Sequence, residues 1–111
     1  MDKIIKYQKI ISDILQTYKA RFERSNNEVK PIIIIDKEQN QFQFLWKGWN
    51  RGQYVFSVSI HISMNGEKIW VDRDITEIGV ANLLVEAGIP NSDIVLGYFD
   101  PDHRKLTDFA A

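Results

Sequence analysis

From Gln53 to Met64 the chain reads QYVFSVSIHISM, an unbroken alternation of large apolar residues with smaller or polar ones. Side chains of a β-strand point to opposite faces at successive positions, so this run has the period of one long strand lying over a core. Tyr54, Phe56, Val58, Ile60, Ile62 and Met64 share one parity; Val55, Ser57, Ser59, His61 and Ser63 share the other. Turn signals bracket the run. Asn65-Gly66 behind it is the strongest short hairpin signal, and Asn50-Arg51-Gly52 before it suits a three-residue loop with a left-handed glycine. Both turns lead to antiparallel neighbours, QFQFLWKGW (Gln41 to Trp49) and EKIWVDRD (Glu67 to Asp74). VKPIIIID (Val29 to Asp36), ahead of the polar turn DKEQNQ, makes the outer strand of a four-stranded meander.

Turn lengths translate into a register. The three-residue loop sets Trp46 opposite Phe56, Phe44 opposite Val58, Phe42 opposite Ile60 and Gly48 opposite Tyr54. The Asn65-Gly66 turn sets Ile62 opposite Ile69, Ile60 opposite Val71 and His61 opposite Trp70. This register predicts that Tyr54 and Phe56 join Phe42, Phe44 and Trp46 in the core. The second face then carries Leu45, Lys47, Trp49, Val55, Ser57, Ser59, His61 and Trp70. In the outer strand Ile32 and Ile34 alternate with Ile33 and Ile35, so both faces are apolar. Strands of that kind are usually covered on both sides, which points to another chain over the second face and to a homo-oligomer.

On either side of the meander the period lengthens. Ile4, Tyr7, Ile11, Ile14, Leu15, Tyr18 and Phe22 recur at helical spacing, which predicts a helix over residues 3–24 ended by SNNE (Ser25 to Glu28). A second helix is expected after Asp74, with Asp74 and Glu77 as a variant capping box, Ile78, Ala81, Leu84 and Val85 as its buried stripe, and Gly88 and Pro90 as its stop. IPNSDIVLGYF leads into a fifth, apolar strand. The fold class is therefore α+β: long N-terminal helix, four-stranded antiparallel meander, second helix, fifth strand, in a single domain over residues 1–111.

The chain has a net charge of -1 and a pI near 6.1, which lowers the expectation of direct nucleic-acid contact, because proteins that neutralise many phosphates usually carry a positive excess. With no cysteine, disulfide and thiolate chemistry are excluded and a cytoplasmic home is expected. No apolar run approaches a membrane span, and the mixed charge of MDKIIKYQKIISDILQ does not read as a secretory signal.

Three places invite a functional reading. GYFDPDHRKLTDF (Gly97 to Phe109) gathers Asp100, Asp102, His103 and Asp108, residue types of a metal or acid/base site, but a proline-containing polar turn holds ligands poorly. It reads as a surface turn with Phe109 tucked into the core, and neither a metal nor a cofactor is expected. His61, beside Trp70 in the predicted register, has no evident acid/base partner and reads as a strand histidine packed on an aromatic ring. Trp49, Asn50 and Arg51 form an aromatic, basic hairpin tip, of the kind that caps a sheet, anchors a protein interface or stacks on bases. Candidate partner-contact residues are Trp49, Arg51, Leu45, His61, Trp70 and Arg104; no catalytic residue is assigned.

The opening MDKIIKYQKIISDIL, the pair Gly48-Trp49, IHISMNGEKIWVDRD, TEIGVANLLVEAGIPNSDIVLGY and the closing Arg104, Thr107 to Ala110 together resemble the XisI family, the fdxN-element excision controlling factors found mainly in cyanobacteria. The likeness runs nearly end to end. It implies a non-enzymatic accessory factor for site-specific excision of a DNA element, acting by binding a protein partner, an XisH-like factor or the recombinase. It carries over no catalytic residue. Direct DNA binding and a small metal-dependent hydrolase are the alternatives. In the tail, Pro101, Arg104, Thr107 and Phe109 match the family pattern, whereas Leu106 stands where an aromatic is usual.

Overall fold

In the computed structural model, described over residues 2–23 and 28–111, helix α1 (Lys3–Ala20) is followed by strands β1 (Lys30–Asp36), β2 (Gln41–Asn50), β3 (Gln53–Asn65) and β4 (Lys68–Asp74). Helix α2 (Val80–Glu86), a single 3-10 turn at Asn91–Asp93, strand β5 (Ile94–Leu96) and a short helix α3 (Pro101–Arg104) complete the chain. The five strands form one sheet in the order β1-β2-β3-β4-β5. The first four pair antiparallel and β5 joins β4 in parallel. A parallel pair needs a crossover, and α2 with its flanking loops is that crossover. The expected α+β architecture is the observed one.

Asp2 caps α1 by accepting the Ile4 N–H at 2.9 Å. Tyr7, Ile11 and Leu15 on its inner stripe are buried, and Ile4, Ile14, Tyr18 and Phe22 flank them. The helix ends at Ala20 rather than Arg24, with a turn over residues 21–23. The SNNE stop falls mainly on Ser25 to Asn27, outside the described residues. The second helix begins at Val80, later than the sequence suggested. Asp74 still caps it, but across a loop: one carboxylate oxygen accepts the Thr76 N–H at 2.9 Å and the Thr76 hydroxyl at 2.6 Å, and the other accepts the Val80 N–H at 2.7 Å. Thr76, not Glu77, is the partner residue. Val80, Ala81 and Leu84 are the buried positions of α2, while Val85 is exposed. Its C-terminus is the expected glycine stop: Gly88 at φ 102° donates to Val85 O and Ile89 donates to Leu84 O, the paired bonds of a Schellman motif.

Both hairpins close differently from their sequence reading. At the first, Asn50 pairs with Gln53, so the turn is the two residues Arg51 and Gly52, with φ of 50° and 80°, as a type I′ turn requires. At the second, Asn65 pairs with Lys68 and the turn is Gly66-Glu67, with Gly66 at φ 60° in the first central position. The second change moves partners by two residues and preserves faces: Ile62 lies opposite Val71, not Ile69. The first moves partners by one, which exchanges faces. Trp46 lies opposite Ser57, Lys47 opposite Phe56, Gly48 opposite Val55 and Trp49 opposite Tyr54.

A β-bulge then restores the phase. Leu45 pairs with Val58 and Phe44 with Ile60, leaving Ser59 as the extra residue of β3. Below the bulge, Phe42, Phe44, Ile60 and Ile62 lie under the helices as expected, although Phe42 faces Ile62 and Phe44 faces Ile60. Tyr18 meets Phe44 edge-on at 5.1 Å and Phe22 meets Trp46 at 4.8 Å, which fixes this side of the sheet as the helix-covered one. Above the bulge, Val55 and Ser57 belong to the helix side; Tyr54 and Phe56 do not.

Candidate functional site

The second face, away from the helices, divides along its strands. Near the tip of the β2–β3 hairpin, Phe56 is 61% exposed, Trp49 58% and Tyr54 51%, and Ile34 on β1 is 51% exposed. Sequence reasoning missed Tyr54 and Phe56 as surface residues. The signal that places them is the two-residue reading of Arg51-Gly52, which by itself turns both outward. Trp49 and Tyr54 support each other, ring centroids 5.3 Å apart. Leu45, expected to touch a partner, is only 2% exposed. It lies between Ile32 and Val58 in the ladder and forms the floor of the patch rather than its contact surface. Contiguous exposed apolar surface on this scale marks interaction sites in water-soluble domains.

Gly48 lets the chain entering β1 approach the tip closely. A Cβ there would stand 2.3 Å from the Glu28 carbonyl oxygen, so the chain entering β1 packs directly on the bare glycine. Val55, not Tyr54, is its cross-strand neighbour.

The half over β4 and β5 is occupied by the chain's own C-terminal segment. Gly97 N–H donates to Val71 O at 2.8 Å, and a Cβ on Gly97 would meet the Trp70 ring at 2.9 Å. The Arg104 guanidinium stacks over Trp70 at 5.3 Å. Ala110 bridges Val95, donating to Ile94 O at 2.8 Å. Trp70 and Arg104 are thus partners of each other, while Arg51 stands exposed at the hairpin turn.

His61 sits between two glutamines, its Nδ1 2.9 Å from Gln43 Oε1 and its Nε2 2.7 Å from Gln41 Oε1. Its cross-strand neighbour is Arg73, not Trp70, which lies opposite Ser63. Arg73 Nε donates to Val58 O at 2.7 Å. Ser63 hydroxyl donates to Asp72 at 2.6 Å. Neutral amides hold both ring nitrogens, an arrangement for positioning a side chain rather than for drawing a proton from a substrate.

The tail motif resolves into a cap. Asp100 accepts the His103 N–H at 2.9 Å and lies 3.1 Å from His103 Nδ1, and these bonds, the backbone one first, hold its carboxyl below the usual range. His103 stacks on Phe99 at 5.4 Å. Phe109 packs against the core, as the sequence suggested. Among the described residues no group of three or more His, Cys, Asp or Glu could hold a metal ion.

Elsewhere Asp93 takes the Lys3 ammonium at 2.8 Å and the Tyr7 hydroxyl at 2.5 Å, with Lys68 at 3.9 Å. The bonds from Lys3 and Tyr7 depress its pKa, and burial together with Asp93 raises that of Tyr7. The cluster pins the start of α1 to the loop before β5. Between α1 and α2 an open groove of about 350 Å³ is lined by Ile10, Ile14, Tyr18 and Leu83, with Asp13, Arg21 and Glu86 at its margins.

Residues 1–111 match the family described as XisI protein. Two solved structures from Anabaena variabilis ATCC 29413 are similar. One, a XisI-like protein, is 31% identical with a TM-score of 0.89, covering 97% of this chain and 98% of that one. The other, the fdxN element excision controlling factor XisI, is also 31% identical, with a TM-score of 0.84 and 98% of each chain covered. No curated protein matches.

Proposed function

Because the chain belongs to the XisI family over residues 1–111, we propose that it is an excision controlling factor, as its Anabaena relative is named, and that it works in the cytoplasm by binding a protein partner rather than by catalysis. The observation that carries this reading is the bare β1–β3 part of the second face, where Trp49, Tyr54 and Phe56 toward the tip and Ile34 on the base side of the buried Leu45 stand more than half exposed. Aromatic residues with an arginine at the edge are favoured interface anchors, and Arg51 supplies that edge. No helix among the described residues is long and apolar enough to cross a membrane. An XisH-like factor, or the recombinase itself, is the expected partner. An affinity-tagged chain should co-elute with an XisH-like factor or the recombinase in stoichiometric amount, and Phe56→Arg should abolish capture. Equal capture by both proteins, or by neither, overturns the reading. A salt-dependent mobility shift of DNA by the purified protein alone would put direct DNA binding in its place.

A further inference from the structure

Both outer strands of the sheet are guarded against pairing with another chain. β1 contains Pro31, which has no N–H to offer a neighbour, and carries Lys30 and Asp36 at its ends. Prolines and charges are the usual guards of such strands. β5 is bridged by Ala110 of the chain's own tail. A further edge belongs to β3. That strand runs from Gln53 to Asn65, but β4 accompanies it only as far as Asp74, opposite Ile60. The loop beyond takes the Ser59 carbonyl through the Ile75 N–H at 3.0 Å and leads to α2. Among the described residues no strand lies beside residues 53–58 on that side.

The hairpin fixes which backbone groups this edge presents. Successive pairs of an antiparallel ladder alternate between bonded and non-bonded. The two-residue turn at Arg51-Gly52 makes Asn50 and Gln53 a bonded pair. Tyr54 and Phe56, opposite Trp49 and Lys47, are then non-bonded, and their N–H and C=O groups point away from β2. The carbonyl of Val58, next along, already accepts a donor from this side, Arg73 Nε at 2.7 Å. The edge sequence QYVFSV has no charge, proline or glycine, so it lacks the guards of the outer strands. Uncharged β-formers with a bare backbone are a template for any extended chain they meet.

We infer that this edge takes a segment of the protein partner as an added strand. The inference rests on the proposed partner-binding role of the same face and names what is bound there. The segment is extended over about five or six residues, bonded main chain to main chain, and apolar at the alternate positions that lie beside Tyr54 and Phe56. Its ends are acidic. Arg51 stands at one end of the edge and Arg73 at the other, and neither has a carboxylate partner among the described residues. The same charges disfavour a second copy as the occupant. Two β3 edges paired antiparallel about a twofold axis would bring Arg51 of each chain toward Arg73 of the other, and like charges set together oppose association.

Amide hydrogen exchange followed by NMR tests this residue by residue. In the free chain Val55 and Ser57, bonded to β2, should be protected, and Tyr54 and Phe56 should exchange about a hundredfold faster. Adding the XisH-like factor or the recombinase, whichever the chain captures, should slow the Tyr54 and Phe56 amides about a hundredfold or more. Tyr54→Pro deletes an outward N–H and leaves the bonds to β2 in place. With Val55 and Ser57 still protected, it should weaken capture about tenfold beyond Tyr54→Ala. Capture that leaves both amides fast, or that is equal for the proline and alanine variants, overturns the added strand and leaves the proposed function standing. Slow Tyr54 and Phe56 amides in the free chain overturn it too: slow at every concentration, the edge is already closed; slowing as concentration rises, a second copy takes the place. Failure to capture either protein overturns the proposed function and the inference with it.

Discussion

Ile60, Ile62 and Met64 lie in the core, whereas Tyr54 and Phe56, residues of the same parity on the same strand, face outward. Between them sits Ser59, the extra residue of the bulge. Alternation fixes which residues share a face only as far as the next irregularity, so a single inserted residue hands the two ends of β3 to different tasks. The base half holds the fold together against α1 and α2. The tip half uses the same kind of side chain on a surface the chain does not cover.

Four measurements sharpen or break that comparison. Phe44→Ala, in the fully buried base half, should cost about 3–5 kcal/mol in chemical denaturation, a large share of the roughly 5–15 kcal/mol that stabilise a domain. Next is Gly48→Ala at the tip, which should cost about 1–3 kcal/mol, because φ is 149° and the Glu28 carbonyl blocks the new methyl. A harmless Gly48→Ala would mean that the tip is a loose flap rather than a rigid platform. Asp93→Asn should cost about 1–2 kcal/mol at neutral pH. The folded-state pKa of Asp93 is lowered, so its contribution is present above the unfolded pKa and is lost as pH falls through the folded one. The gap between wild type and variant should therefore begin to close below about pH 4 and vanish once pH is below the lowered folded-state pKa; a gap that persists at that acidity would show that packing, not charge, holds the cluster. The smallest effect belongs to Phe56→Ala, which should stay within about 0.5 kcal/mol. A loss of several kcal/mol there would restore the sequence-derived register and remove the partner surface with it.

Much of this was legible in the sequence. The helix stripe of Tyr7, Ile11 and Leu15, the meander, the Gly88 stop and the tail's burial of Phe109 all follow from local period and turn chemistry, and the structure has each of them. What escaped depends on counts of one residue. Asn50-Arg51-Gly52 suits either a three-residue loop or a two-residue turn with Asn50 still in the strand, and nothing local separates the two. Ser59 looks like any other small residue of the alternation, because a bulge is selected by how the neighbouring strand twists and packs. The start of α2 was misplaced for a related reason: Asp74 caps through Thr76 and reaches Val80 through space. Of the candidate contacts, Trp49 and Arg51 are exposed where expected. Leu45 lies beneath the patch, and Trp70 and Arg104 are engaged with each other.

Arg51 adds one more consequence. Its φ of 50° lies in the left-handed region, where a residue with a Cβ is disfavoured by roughly 1–2 kcal/mol and where asparagine or glycine is the usual occupant of a type I′ turn. A sequence shaped only by ease of folding would place asparagine at this apex. This one tolerates a strained backbone and carries an exposed guanidinium at the turn of the β2–β3 hairpin. Residues that contradict local preference tend to mark places kept for recognition rather than for stability. The apex is therefore where selection on what the protein meets is most visible against selection on how it folds.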